Sequence, residues 1–263
     1  MLARTLFILR VILFIQISTY VYADDTDWDK DPRDEIINKI KTVGIVSVLK
    51  DDLMPIELGL TVFQNKLPPK IHVKDDLNGY IQNTFGNLIK EKSVHVQYVP
   101  VSYDRENFEK AYKTDSRGYY TFELDRVNSE LHQIFLKYDI DAIVLFTSRT
   151  CGDFVMNSSQ ILQSVGILRT NLFGMGGARS SFFCFGSYLI GRDNNVVLRD
   201  AGYTNQYVLS SDIWPIEREE PNDSDVKAIM KSIFQMIPKN ANNHMSFFGL
   251  VPEEHVQESM DPG

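Results

Sequence analysis

The chain has 263 residues, a net charge of −8 and 43% hydrophobic residues. That length suits one α/β domain with an elaboration, and the hydrophobic share is ordinary for a globular protein. With 35 acids against 27 bases and no basic cluster, the charge argues against nucleic acid or an anionic membrane surface as a partner.

The start has the pattern of a secretory signal peptide over residues 1–23. Arg4 gives a positive opening, residues 6–17 form a mostly apolar core, and Val21-Tyr22-Ala23 ends in a small-x-small site. Arg10 interrupts the core, and an uncleaved anchor is the alternative; the apolar run is shorter than the roughly 20 residues that span a bilayer. Cleavage removes Arg4 and Arg10 and no acids, so the mature chain is more acidic still. No cysteine sits at the cleavage point to carry a lipid, and no later stretch is apolar enough to insert in a membrane. The expected location is therefore periplasmic or secreted. Residues 24–40 read as an acidic leader, with seven acids in residues 24–35 against Lys30 and Arg33. Residues 41–237 read as a single α/β domain, and residues 238–263 as an irregular C-terminal tail.

Residues 42–49 are a continuous apolar run rich in β-branched side chains, which suits a strand covered on both faces. Gly44 lets a neighbouring element approach closely. A polar, proline-containing loop follows, then a second apolar strand over 58–63, closed by Pro68-Pro69. The spacing of Leu77, Ile81, Phe85, Leu88 and Ile89 predicts a helix over 75–92, capped by Asp75 or Asp76. A strand over 94–101 ends at Pro100, which places that end at a sheet edge. A short helix is predicted over 103–112 and a longer one over 122–138. Residues 142–147 form a second continuous apolar strand. Beyond residue 150 the pattern changes to strands over 160–170, 180–190, 196–198 and 207–209. A glycine-rich turn joins the first two, and a hairpin turn at 192–195 leads into the third. Residues 224–237 form the last helix, and Phe247 and Phe248 beyond it are expected to dock on the domain or on a partner. The fold class is α/β, a three-layer Rossmann-like mixed sheet, parallel in the first half with an antiparallel extension in the second half.

In open α/β sheets ligands gather at the carboxyl ends of parallel strands. Two such ends can be named. Ser47 and Asp51 lie at the end of strand 42–49, and Ser148, Cys151 and Asp153 follow strand 142–147. These five are the candidate catalytic residues. Cys151 needs a base to act as a nucleophile, with His72, His95 and His132 as candidates. Neither serine sits in a G-x-S-x-G elbow. Cys151 and Cys184 are the only cysteines; a disulfide and two buried thiols are the alternatives. No cofactor is implied. Gly174, Gly176 and Gly177 match no dinucleotide or phosphate loop, and no His or Cys pair has metal-ligand spacing.

The run VGIVSVLKDDLMPIELGLTVFQN resembles the opening of an uncharacterised family of proteobacterial exported proteins, whose mature chains begin with a V-S strand and a G-L-T-V-F segment. More loosely, an exported α/β chain of this order looks like the periplasmic amino-terminal domain of TolB and the LpoB-like lipoproteins. The resemblance implies no activity. Together the patterns predict an exported, non-enzymatic protein that binds an envelope or secreted macromolecule, with a protein partner. The alternative is an exported hydrolase or transferase with its site at the two strand ends.

Overall fold

The computed structural model describes residues 32–152, 161–172 and 175–253. The signal segment, residues 24–31 of the acidic leader, Asp153 and the final ten residues lie outside the described residues. The chain divides into two units, Met1–Glu35 and Ile36–Gly263. Of the first, only the start of the short helix α1 (Pro32–Ile37) is described. The account below concerns the second.

β1 (Thr42–Val48) and β7 (Ala142–Ser148) are the two continuous apolar runs of the sequence, and they pair in parallel from Val43↔Ala142 to Val48↔Thr147. Their lack of alternation has a physical cause: both faces of the sheet are covered. On one face Val43, Ile45, Val144 and Phe146 pack against α2 (Leu77–Lys92) and α5 (Asp223–Phe247). On the other, Val46, Val48, Ile143 and Leu145 meet α3 (Arg105–Glu109) and α4 (Asn128–Tyr138). A Cβ on Gly44 would lie 2.8 Å from both Ile140 Cδ1 and Val101 Cγ1, the close approach expected there.

Among the described residues the main sheet has nine strands in the order β3-β2-β9-β10-β7-β1-β4, with β11 beside β10 and β8 beside β9. β4 (Gln97–Tyr98) closes one edge beside β1. β10 (Met175–Gly191) is long enough to serve two neighbourhoods. Its second half pairs with β7 and its first half with β9 (Ile161–Leu172), both antiparallel. β11 (Val196–Leu209) follows β10 through both. β2 (Asp52–Leu58) runs parallel to β9, so the chain passes from β1 into β2 by a three-residue step and shifts sheet neighbourhood. β8 (Thr150–Gly152) follows β7 after one residue, Arg149, and pairs with β9 antiparallel. The sheet is parallel around β1 and β7 and antiparallel through β9, β10 and β11, the mixed α/β architecture expected.

Several elements differ from the sequence expectations. The proline-containing stretch read as a loop is β2. Pro55 is tolerated because Glu57, two residues on, directs its N–H and C=O outward to Lys66. Alternation puts the Pro55 nitrogen on that same outer edge, where no donor is needed. Beside β2, the edge strand β3 (Ile71–His72) pairs only with Asp52 and Leu53. The apolar run 58–63 is not a strand: it leaves the sheet at Leu58, and Val62–Gln64 form a 3-10 turn. The two strands expected at 196–198 and 207–209 are one. The predicted helix over 103–112 is shorter, because Tyr112–Thr114 and Tyr120–Phe122 form the hairpin β5–β6 around an Asp115 that accepts from the N–H groups of Arg117 and Tyr119.

The last helix does not stop at Ile237. α5 continues through Pro238 to Phe247, so the expected irregular tail is helical in its first third. A proline at 238 cannot donate to the carbonyl of Phe234. The Tyr80 hydroxyl on α2 donates to that carbonyl instead, at 3.0 Å, with the two rings 4.5 Å apart. Ile233, Ile237, Ala241 and Met245 keep one buried stripe running past the proline, and Phe248 ends it in the core while Phe247 stays half exposed.

Candidate functional site

The structure brings Ser47, Asp51 and Ser148 together where β1 and β7 part, but every one of them is engaged within the protein. Ser47 and Ser148 are at most 2% exposed. The Ser47 hydroxyl donates to Asn78 Oδ1 at 2.8 Å, and the same oxygen accepts from Leu49 N–H. Asn78 Nδ2 returns a bond to the Leu49 carbonyl and another to Asp51. Asn78 is held there because Asp76 caps α2 one residue before it starts. Asp51 is paired with Arg105 at 2.7 Å, and Arg105 also donates to the Leu49 carbonyl. Ser148 Oγ accepts from Lys50 N–H at 2.8 Å and lies 2.9 Å from Ser164 Oγ.

Three tyrosines complete this junction. Tyr103 stands beside β1 where a further strand would lie, accepting from Ser47 N–H and donating to the Ser47 carbonyl at 2.6 Å. The Tyr112 hydroxyl donates to the Val48 carbonyl at 2.8 Å and accepts from Ser148 N–H at 2.7 Å, bridging β1 and β7 where their ladder ends. Tyr120 donates to Asp52 at the start of β2, and Lys70 lies 3.9 Å over its ring. Burial pushes Tyr103 up to about 12, against the pull of its bond to Ser47, and raises Tyr112 and Tyr120 well above the usual phenol range. All three therefore remain neutral donors at physiological pH. Lys70 is lowered by burial, with the attraction of Asp52 only partly offsetting it.

Cys151 is not part of this cluster. It forms a disulfide with Cys184, with the Cα atoms 6.0 Å apart, against the apolar face of Met54, Ile56, Leu168 and Phe182. A bonded sulfur is not a thiolate nucleophile. His72, His95 and His132 are exposed, on β3, before β4 and on α4. Among the described residues, then, the strand ends hold no serine–base pair and no free thiol. What the arrangement does is tie backbone to backbone across the step between sheet neighbourhoods.

A second polar centre lies at the carboxyl ends of the other parallel pair, β2 and β9. Glu57 and Arg169, 3% and 2% exposed, form an ion pair. Arg169 also donates to the carbonyls of Trp214, Pro215 and Arg218, and its guanidinium carbon lies 3.8 Å over the Trp214 ring. Burial raises the Glu57 carboxyl, but bonds from Asn171 and Arg169, with help from Lys66, outweigh it and hold the group below the usual carboxylate range. Trp214 is fully buried at φ 49°, a left-handed conformation unusual for a bulky residue. Its backbone N–H donates to Asp225, which also completes the capping box of α5 with Asn222. These bonds fix residues 215–220 as one wall of a cleft of about 580 Å³, opposite Lys66, Leu67, Pro68 and Pro69. A further hollow of about 420 Å³, lined by Gly59, Leu60, Thr61 and Gln64, shares Glu57, Lys66 and Asn171 with it. The sequence does mark this place: Glu57 and Arg169 are charges that directly follow the short apolar runs 53–56 and 165–168.

The fold and these two centres define an α/β protein with a mixed sheet, a bonded junction at one pair of strand ends and an open cleft at the other. No family model and no curated protein matches the chain. Among solved structures it is similar to a Xanthomonas campestris protein of the DUF330 family model, at 7% identity over 79% of this chain and 83% of that one, with a TM-score of 0.37. It is also similar to lipoprotein GNA1162 from Neisseria meningitidis, at 8% identity over 76% of this chain and 99% of that one, TM-score 0.29. The hypothetical protein CT253 from Chlamydia trachomatis gives 7% identity over 76% and 99%, TM-score 0.29. Among the described residues no helix is long and apolar enough to cross a membrane.

Proposed function

We propose that this is an exported α/β protein that works by binding an envelope or secreted macromolecule rather than by catalysis. The observation that carries the reading is the use made of the candidate catalytic groups. Ser47, Asp51 and Ser148 are consumed in holding β1, β7 and β2 together, and Cys151 is bonded to Cys184. The disulfide supports an oxidising compartment, as does the signal-like start.

Affinity capture of the tagged full-length protein from cells, after crosslinking and read by mass spectrometry, tests the reading. One macromolecule enriched reproducibly over a control carrying the same leader is the expected result. A blank, or hydrolytic turnover that disappears in Ser148→Ala protein of unchanged fold, overturns it.

A further inference from the structure

Apolar side chains in a soluble protein are normally placed inside, and the run that breaks this rule here is specific. The segment GLTVF was expected to belong to an apolar strand over 58–63, yet the chain leaves the sheet and carries it to the surface. Phe63 is 96% exposed, Leu60 48% and Leu67 52%. Three large apolar side chains thus face solvent within eight residues of one loop between β2 and β3, which costs solubility with no gain to the core. Elsewhere among the described residues the exposed large apolar side chains, such as Val94, Leu136 and Val208, come at most two together, so the grouping of three sets this loop apart.

The loop is also one wall of the cleft described above. Glu57 pairs with both Arg169 and Lys66 in its floor, and Glu217, Glu219 and Glu220, all three exposed, make the lining net acidic. An apolar loop of this kind suits either a bilayer or a polypeptide, and the charge decides between them. A net acidic cleft on a chain of net charge −8 is repelled by an anionic lipid surface. The same acids attract a basic segment, whose apolar residues then cover Phe63 and its neighbours.

Resting on the binding reading, we infer that the β2–β3 loop and the cleft behind it form the docking surface, and that its occupant is a basic, apolar segment of a protein partner. Phe63 supplies the central apolar contact, and Glu217, Glu219 and Glu220 receive the partner's lysines or arginines.

The test places the photocrosslinker p-benzoylphenylalanine at position 63, or at the equally exposed position 94 as a control, in the full chain in cells. Mass spectrometry reads the contacted peptide. A fluorescein-labelled synthetic copy of that peptide is then titrated against the wild type, Phe63→Ser and the triple variant Glu217→Lys/Glu219→Lys/Glu220→Lys, each checked for unchanged melting. The expected result is a crosslink from 63 and not from 94 to a segment of net positive charge. Affinity then falls at least tenfold in each variant, about 1.4 kcal/mol, and weakens with salt. A partner caught only from 94 overturns this surface and leaves the binding reading standing. No partner from either position overturns both. A second copy of the chain, an acidic contact segment, binding to anionic vesicles through Phe63, or an affinity indifferent to the charge reversal each overturns the assignment of a basic polypeptide.

Discussion

Replacing Tyr112 by phenylalanine removes one oxygen and leaves the ring against Tyr120 and Phe122. That oxygen satisfies two backbone groups, the Val48 carbonyl and the Ser148 N–H. Both lie where the parallel ladder ends, out of reach of another strand. An unsatisfied buried backbone group costs about 1–3 kcal/mol. Val48 and Ser148 are buried but the Tyr112 side chain is only half-buried, so water partly replaces its hydroxyl and the pair costs about 2–3 kcal/mol. For a domain of this size that is a fall in Tm of about 4–12 °C. The assay is thermal unfolding followed by circular dichroism, with Tyr138→Phe as the control. Tyr138 also bonds backbone, at Ser102, but at the surface where water replaces it, so its Tm should move by under about 2 °C. Equal shifts in the two variants would refute the idea that the tyrosines at the junction tie the two sheet neighbourhoods together.

Other expectations follow from the same geometry. The disulfide closes a span of 33 residues, which the chain-entropy relation values at about 3–4 kcal/mol. Paired Cys151→Ser/Cys184→Ser protein should therefore melt well below the wild type, and native protein should show no free thiol to Ellman's reagent; two titratable thiols would contradict the bond. Tyr80→Phe leaves the Phe234 carbonyl without a donor and should cost about 1 kcal/mol in the wild type. It should be nearly neutral in a Pro238→Ala background, where the helix supplies its own N–H; chemical denaturation of the four proteins checks the coupling. Hydrogen bonds from Ser102 and Lys137 bring Tyr138 down to about 8, so absorbance at 295 nm should show one tyrosine titrating there, absent from Tyr138→Phe. Its folded value lies below the unfolded one, so its contribution to stability is present above pH 10 and lost as pH falls through 8. Tyr103, pushed up to about 12, has the opposite sign, stabilising below pH 10 and losing that contribution as pH rises through 12.

The sequence made β1, β7 and α2 legible because each has a pattern that burial on known faces dictates: two unbroken apolar runs and one stripe at three- and four-residue steps. β2 was not, since a proline and two acids in seven residues look like a loop unless the outer edge is known to be free. α5 was cut short at Pro238 because the repair comes from Tyr80, more than 150 residues away. The hairpin β5–β6 has three residues a side, too few to show alternation. For the site, the strand ends were placed correctly, and Ser47, Asp51 and Ser148 do meet there. Their meaning was hidden in partners drawn from elsewhere in the chain: Asn78, Tyr103, Arg105 and Tyr112 come from α2, α3 and their neighbouring loops and hairpin. Periodicity reports which face is buried; it does not report which distant hydroxyl fills a gap in a ladder.

The most direct measurement compares the affinity of the captured partner for two single-residue variants, one at each centre. Ser148→Ala removes a hydroxyl at the bonded junction, and Phe63→Ser removes the apolar contact at the loop. If the junction is scaffold and the loop is the working surface, folded Ser148→Ala protein binds within about twofold of the wild type while Phe63→Ser binds at least tenfold more weakly. Binding lost in folded Ser148→Ala protein and retained in Phe63→Ser would contradict the account and return function to the ends of β1 and β7.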